Sequence, residues 1–218
     1  MGRGASAQGA PARQPTARGA PHLNRLLEAL LTPRHAPDPR DTFTYAPHGA
    51  IVPETIAVNV RNRPHTISAT ITAEGDGTIL AMGTVLGGWA LQVHDGRLRY
   101  VHNHLGRTRT TITAAAPLGP GEHHVTFAFS TPGDLTGTGV LLADDEEVGR
   151  GDIPMVTAVR YSITGGGITC GWEQGPAIGD DYAAPYPFAG TLGTVTVTVL
   201  GPEHRDPEAL LASILSEQ

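Results

Sequence analysis

Residues 87–101 read Gly87-Gly88-Trp89-Ala90-Leu91-Gln92-Val93-His94-Asp95-Gly96-Arg97-Leu98-Arg99-Tyr100-Val101. Trp89, Leu91 and Val93 fall on one side of a two-residue period, and Ala90, Gln92 and His94 fall on the other. Asp95-Gly96 then supplies the positive φ angles that a two-residue type I′ turn requires. Leu98 and Tyr100 resume the alternation, so the stretch is a β-hairpin. A tryptophan entering a strand directly after Gly-Gly predicts a large ring laid into a core where two backbones pass close together.

The same pattern repeats on either side. His65–Ala73 sets Ile67, Ala69 and Ile71 against Thr66, Ser68 and Thr70. Further alternating runs are read at 77–85, 97–105, 107–114, 125–129, 139–143, 146–149, 159–163, 167–172 and 190–200, and Gly, Asp or Pro separates most of them. The Thr-Val pairs of 194–199 are the cleanest half-buried strand among them. Roughly ten to twelve strands with no helical pattern between them exclude parallel βαβ units. Too many for one open sheet, they predict an all-β protein of two packed antiparallel sheets, a sandwich or jelly roll, over residues 42–201.

The ends read differently. Residues 1–21 are mostly Gly, Ala, Pro, Gln and Arg, without an acidic or aromatic side chain, a composition expected to stay disordered. Leu23, Leu26, Leu27, Leu30 and Leu31 predict a short helix that Pro33 ends, and a Pro-rich linker carries the chain to residue 41. Within 202–218, Asp206 is an N-cap, Pro207 a first-turn residue, and Leu210, Leu211, Ile214 and Leu215 form an apolar stripe. Two Leu-rich terminal helices predict either pairing with each other or the contact of a homodimer.

Composition narrows the function. The net charge is −6, and all 15 basic residues are arginine, with no basic stripe, which argues against a nucleic-acid partner. No apolar run approaches the roughly 18 residues of a membrane span. The N-terminal arginines lead into no apolar segment, so the sequence as it stands predicts a cytoplasmic protein. The single cysteine, Cys170, allows no internal disulfide, and its Thr-Cys-Gly-Trp context is that of a small buried hydrophobe. No Gly-x-Ser-x-Gly elbow and no Gly-rich loop opening a helix is present.

The acidic pairs are Asp144-Asp145-Glu146-Glu147, read as a solvated hairpin tip, and Asp180-Asp181, in a Gly- and Pro-rich loop. Asp180 and Asp181 are the candidate oxygen ligands for Ca²⁺. Among the ten histidines, His102 and His104 share a strand face, and their scatter reads as surface. The aromatics number 2 Trp, 5 Tyr and 4 Phe; Trp172, Tyr182, Tyr186 and Phe188 are the ones placed to line a glycan platform.

Taken together, Asn59–Ile67, Gly87–Leu91, Asp95–Asn103, Gly119–His123, Arg160–Ser162, Asp180–Tyr182 and Pro187–Thr191 resemble, in order and spacing, the C-terminal β-sandwich region of large bacterial arylsulfatases. The resemblance covers residues 41–199 and implies a concanavalin-like or laminin-G-like jelly roll. Neither formylglycine motif, Cys-x-Pro-Ser-Arg or Ser-x-Pro-x-Arg, occurs in this chain, and the family's α/β catalytic domain has no counterpart. The resemblance therefore implies a non-catalytic module that packs on a sulfatase catalytic chain or dimerises, with Asn62, Arg63 and His65 as the polar contact. Arg63 suits a carboxylate or sulfate; the competing reading is a loop that satisfies its own backbone. Two alternatives stand beside it: a Ca²⁺-dependent carbohydrate-binding module built on Asp180, Asp181, Tyr182 and Tyr186, and one half of a split arylsulfatase.

Overall fold

The computed structural model describes residues 40–157, 161 and 166–201. Their strands form two antiparallel sheets. The seven-stranded sheet runs β1 (Thr42–Tyr45), β13 (Val195–Val199), β3 (His65–Ala73), β8 (Glu122–Ser130), β9 (Gly137–Ala143) and β10 (Glu146–Ile153), with β12 (Gly190–Leu192) also paired to β3. The six-stranded sheet runs β2 (Val52–Pro53), β11 (Gly167–Cys170), β4 (Gly77–Thr84), β5 (Gly87–His94), β6 (Arg97–His104) and β7 (Thr108–Thr113). Among the described residues no helix is long and apolar enough to cross a membrane. The expected leader, both terminal helices and most of the 159–163 run lie outside the described residues.

The hairpin that decides the fold forms as its residues dictate. His94 pairs with Arg97 across Asp95 (φ 50°) and Gly96 (φ 69°), a turn with two positive φ values in sequence. Trp89 is fully buried, stacked on Tyr100 at 6.4 Å and edge-on to Tyr161 at 6.4 Å. Tyr100 in turn stacks on Phe127 of the opposite sheet at 3.7 Å, which joins the two layers through aromatic rings. Gly87 and Gly88 carry φ of 138° and 154°. A Cβ would stand 2.0 Å from the Tyr161 carbonyl oxygen at Gly87 and 2.1 Å from that of Met82 at Gly88, so both positions exclude any side chain.

Three readings need correction. The 190–200 run is two strands, not one. Leu192 faces Ile71 and Thr196 faces Ser68, so β3 has one residue fewer than the facing chain, and the surplus forms a bulge at Gly193-Thr194. The 167–172 run stops at Cys170, because Gly171 (φ 83°) turns the chain out over the sheet. His102 is no surface histidine either: it is buried between the sheets, 6.5 Å from the Tyr161 ring. Burial pushes its imidazole down to about 3. His65, buried against Phe127 and Phe129, is pushed down to about 4 for the same reason.

The Asp144-Asp145 turn closes β9 onto β10 with φ of 53° and 67°. Asp144 anchors it, accepting from the His124 backbone N–H at 2.8 Å and lying 2.7 Å from His123 Nδ1.

Candidate functional site

Both faces of the six-stranded sheet are covered at its centre. Seven of the eight residues of β5 are buried, outward-facing Ala90 and Gln92 included. The cover is the segment 171–189. It leaves the sheet at Gly171 and returns beside β4, where the Phe188 N–H donates to the Gly171 carbonyl at 2.9 Å and the Thr78 N–H to that of Tyr186 at 3.1 Å. Ile178 sits at its apolar contact, on Ala81, Ala90 and Val101.

Around that contact the sheet supplies polar partners. Glu173, 1 % exposed, is the hub. Its Oε1 accepts from Thr78 Oγ1 at 3.0 Å, Gln92 Nε2 at 2.6 Å and the Tyr182 hydroxyl at 2.6 Å. Its Oε2 accepts from the Ile178 N–H at 3.1 Å. Gln92 Oε1 accepts from Arg99 Nε at 3.2 Å and Nη2 at 2.8 Å. Arg99 then forks onto Asp181, Nη1 to Oδ2 at 2.6 Å and Nη2 to Oδ1 at 3.2 Å. Asn103 Nδ2 donates to the Ile178 carbonyl at 3.0 Å, and so does Arg109 Nε at 3.0 Å, which fastens the far end of the cover. A buried carboxylate with four donors and a guanidinium with a carboxylate partner are satisfied groups, and a satisfied buried network is rigid.

The network surfaces along one rim. The Asp181 side chain is 50 % exposed beside the half-buried Tyr182 and Tyr186, whose rings lie 4.4 Å apart. His94 stands 6.0 Å from the first ring and 5.9 Å from the second. Its Nδ1 is 2.7 Å from the Tyr186 hydroxyl and its Nε2 3.5 Å from Asp181 Oδ2. Tyr186 holds a positive φ of 42°, sparsely populated for a bulky residue, and such strain clusters where function over-determines the backbone. Burial works to raise the Asp181 carboxyl, but the hydrogen bond and charge of Arg99, with His94, outweigh it and hold the group below the usual carboxylate range. Burial, then the charge and hydrogen bond of Glu173, push the Tyr182 hydroxyl up; burial, then Asp76, do the same to Tyr186. Both therefore remain neutral donors at any physiological pH.

Of the residues foreseen from sequence, Tyr182, Tyr186 and Asp181 meet in this site. Asp180 is 75 % exposed and turned to Arg109, whose Nη1 is 3.9 Å away. The two aspartates thus address different arginines. Among the described residues no three His, Cys, Asp or Glu side chains group as metal ligands. Trp172 is half-buried, and the network is built without it.

His65 opens β3 of the other sheet, and Asn62 and Arg63 lie in the turn before it. Asn62 (φ 42°) is buried, donates to the Gly133 carbonyl at 3.1 Å and accepts from Thr131 Oγ1 at 3.2 Å. Arg63 Nε donates to the Gly201 carbonyl. His65 Nδ1 is 2.8 Å from the Arg63 carbonyl. Asn62 thus ties this turn to the 131–133 loop, and His65 closes on the turn itself.

Gln92, Arg99, Glu173, His94 and Asp76 carry the site and were not singled out from the sequence. The usable signal was Gln92 and Arg99 on the outward positions of strands otherwise rich in buried residues.

No protein-family model and no curated protein matches the chain. Among solved structures it is similar to a heptameric SAP-like pentraxin from Limulus polyphemus, at 19% identity over 76% of this chain and 80% of that one, with a TM-score of 0.42. It is similar to domains LG4-5 of the mouse laminin α1 chain at 15% identity, over 77% of this chain and 41% of that one, with a TM-score of 0.46. The binding domain of botulinum neurotoxin serotype C1 matches at 12% identity, over 72% and 37%, with a TM-score of 0.41. The chain spans about four-tenths of the laminin and toxin chains. None of the three is a sulfatase.

Proposed function

We propose that the chain is a non-catalytic binding module of the concanavalin- or laminin-G-like jelly-roll type, and that the rim formed by Asp181, Tyr182, Tyr186 and His94 takes a neutral glycan without a metal ion. The carrying observation is a carboxylate fixed in place by a two-pronged arginine yet half open to solvent, next to paired tyrosine rings. Vicinal sugar hydroxyls donate to such a carboxylate, and the apolar face of a pyranose stacks on tyrosine. Because the network already holds these groups, little side-chain entropy is lost on binding. Arg99 provides the positive charge that Ca²⁺ supplies in the alternative reading, so chelator has no effect.

The non-catalytic part of the reading is supported by what the reactive groups do. Burial pushes the Cys170 thiol up to about 12, beyond use as a nucleophile. Glu173 spends both oxygens on internal donors.

The test is a titration of the full chain against neutral, amino and sulfated oligosaccharides, with and without EDTA. The expected result is binding of a neutral class that survives EDTA and drops at least tenfold in Tyr186→Ala. Binding that needs Ca²⁺, or no binding to any class, would overturn the reading.

A further inference from the structure

The hydrogen bonds around His94 fix which of its ring nitrogens carries the proton. Nδ1 lies 2.7 Å from the Tyr186 hydroxyl oxygen. That hydroxyl has one proton to give, and its other neighbours only accept: the Val93 carbonyl oxygen at 3.4 Å and the Asp76 carboxylate. The Tyr186 proton goes to one of these, so the contact with His94 needs a proton from the ring. Neutral His94 is therefore held as the Nδ1–H tautomer, with Nε2 bare. Asp76 is fixed in turn by the hairpin turn that follows His94, accepting from the Asp95 N–H at 2.9 Å and the Gly96 N–H at 3.0 Å.

The bare Nε2 faces acceptors. Asp181 Oδ2 is 3.5 Å away and Asp95 Oδ2 is 4.0 Å away. A lone-pair nitrogen and a carboxylate oxygen have no hydrogen to share, so neither satisfies the other. The cationic side chains nearby are engaged elsewhere or on other lone pairs. Arg99 forks onto Asp181 through Nη1 and Nη2. Arg97, opposite His94 across the hairpin, turns Nη1 to the Ala114 and Ala115 carbonyls. The Tyr182 hydroxyl donates to Glu173. The pair stands on the rim, with 17 % of the His94 side chain and 50 % of the Asp181 side chain exposed.

Two species can supply the missing hydrogens. A ligand with neighbouring hydroxyls donates one to Nε2 and one to Asp181. Alternatively, a proton from solvent adds to Nε2, and the new N–H donates to Asp181 and pairs with its charge. The second removes one acceptor and occupies the other, so it excludes the first.

We infer that His94 is a proton-operated gate on the rim: with the ring neutral, Nε2 and Asp181 Oδ2 receive the two hydroxyls of a vicinal diol, and a proton on Nε2 closes the pair and releases the ligand. The inference rests on the reading of this rim as a glycan site and names the proton as its competitor. Imidazole is the side chain that changes charge between about pH 5 and about pH 8. The other groups facing the ring hold their charge there. Burial works to raise the Asp181 carboxyl, but Arg99 and His94 hold it low. Burial works likewise on Asp76, and the Gly96 and Asp95 N–H groups outweigh it. Tyr182 and Tyr186 are pushed up by burial and stay neutral.

The test titrates the full chain with the same neutral oligosaccharides, in EDTA, at about pH 7.5 and about pH 5.5, the window in which imidazole takes its proton. Affinity is expected to fall about tenfold on acidification. In His94→Gln, whose amide takes no proton, the two pH values should give equal affinity. Without ligand, the nitrogen shifts of the His94 ring should report Nδ1 protonated and Nε2 bare at the higher pH. The carboxyl carbon shift of Asp181 should follow the His94 titration and stay still in His94→Gln. Equal affinity at both pH values in the unmodified chain overturns the gate and leaves the glycan reading standing. A bare Nδ1, or an Asp181 shift that moves alike in His94→Gln, also overturns the gate. Failure of every neutral sugar to bind at either pH overturns the glycan reading and the gate with it. Melting curves at both pH values establish that the chain is folded, because buried His65 and His102 weaken it in acid.

Discussion

On β3, outward-facing Thr66, Ser68 and Thr70 are half-buried or exposed, and only the inward Ile67, Ala69 and Ile71 are buried. On β5, outward-facing Ala90 and Gln92 are as buried as inward-facing Trp89 and Leu91. The first face is a bare sheet carrying Thr and Ser, with Thr42, Thr198 and Thr66 opposite one another in register. The second is covered by 171–189, fixed through Glu173, Gln92, Arg99 and Asn103. The difference shows where the molecule has placed its polar specificity. A bare face needs only hydroxyls that tolerate water, whereas a covered face must match every buried donor and acceptor.

Acid breaks both faces together, with the largest effect. His65 and His102 lie between the sheets and bind protons less readily folded than unfolded, where their pKa is near 6.5. Their contribution is complete above about pH 6.5 and is lost as pH falls from there, levelling off only below their folded values of about 4 and about 3. The expected loss is on the order of 3 kcal/mol for each histidine, measured as the urea midpoint between pH 7 and pH 4. A flat profile over that range would mean that neither histidine is held neutral by burial.

Glu173→Ala breaks the covered face alone. It strands Thr78, Gln92 and Tyr182 in a dry site, and should cost about 3–5 kcal/mol by chemical denaturation. Tyr182→Phe removes one hydroxyl from the same hub and should cost about 1–2 kcal/mol, with the Arg99–Asp181 pair left in place. On the bare face, Thr66→Ala should change stability by less than about 0.5 kcal/mol. If Thr66→Ala and Tyr182→Phe cost the same, the contrast between the faces is not energetic.

The bare face was legible from sequence, because period-2 alternation of Ile and Val against Thr is what a half-wet strand writes. The hairpin at 87–101 was equally plain, since Asp95-Gly96 and the Gly87-Gly88 pair each answer to one backbone requirement. The covered face was not. Gln92 and Arg99 look like solvated outward positions until a distant segment lies over them. The partners that bury them, Glu173 and Asp181, sit more than 70 residues along the chain. Periodicity reports the face a residue takes, not what covers that face. For the same reason His102 read as surface, although it alternates inward with Leu98 and Tyr100. At Asp180-Asp181 the sequence shows two adjacent carboxylates but not the separate arginines they address.

Most direct is a chemical-shift titration of the full chain with a neutral oligosaccharide, run in EDTA and compared with Asp181→Asn. The account predicts saturable shifts confined to the amides of 94–96 and 180–187, weakened at least tenfold in the variant, with its fold intact by melting. Shifts centred on the threonine face of β3 and β13, or undiminished in Asp181→Asn, would contradict it.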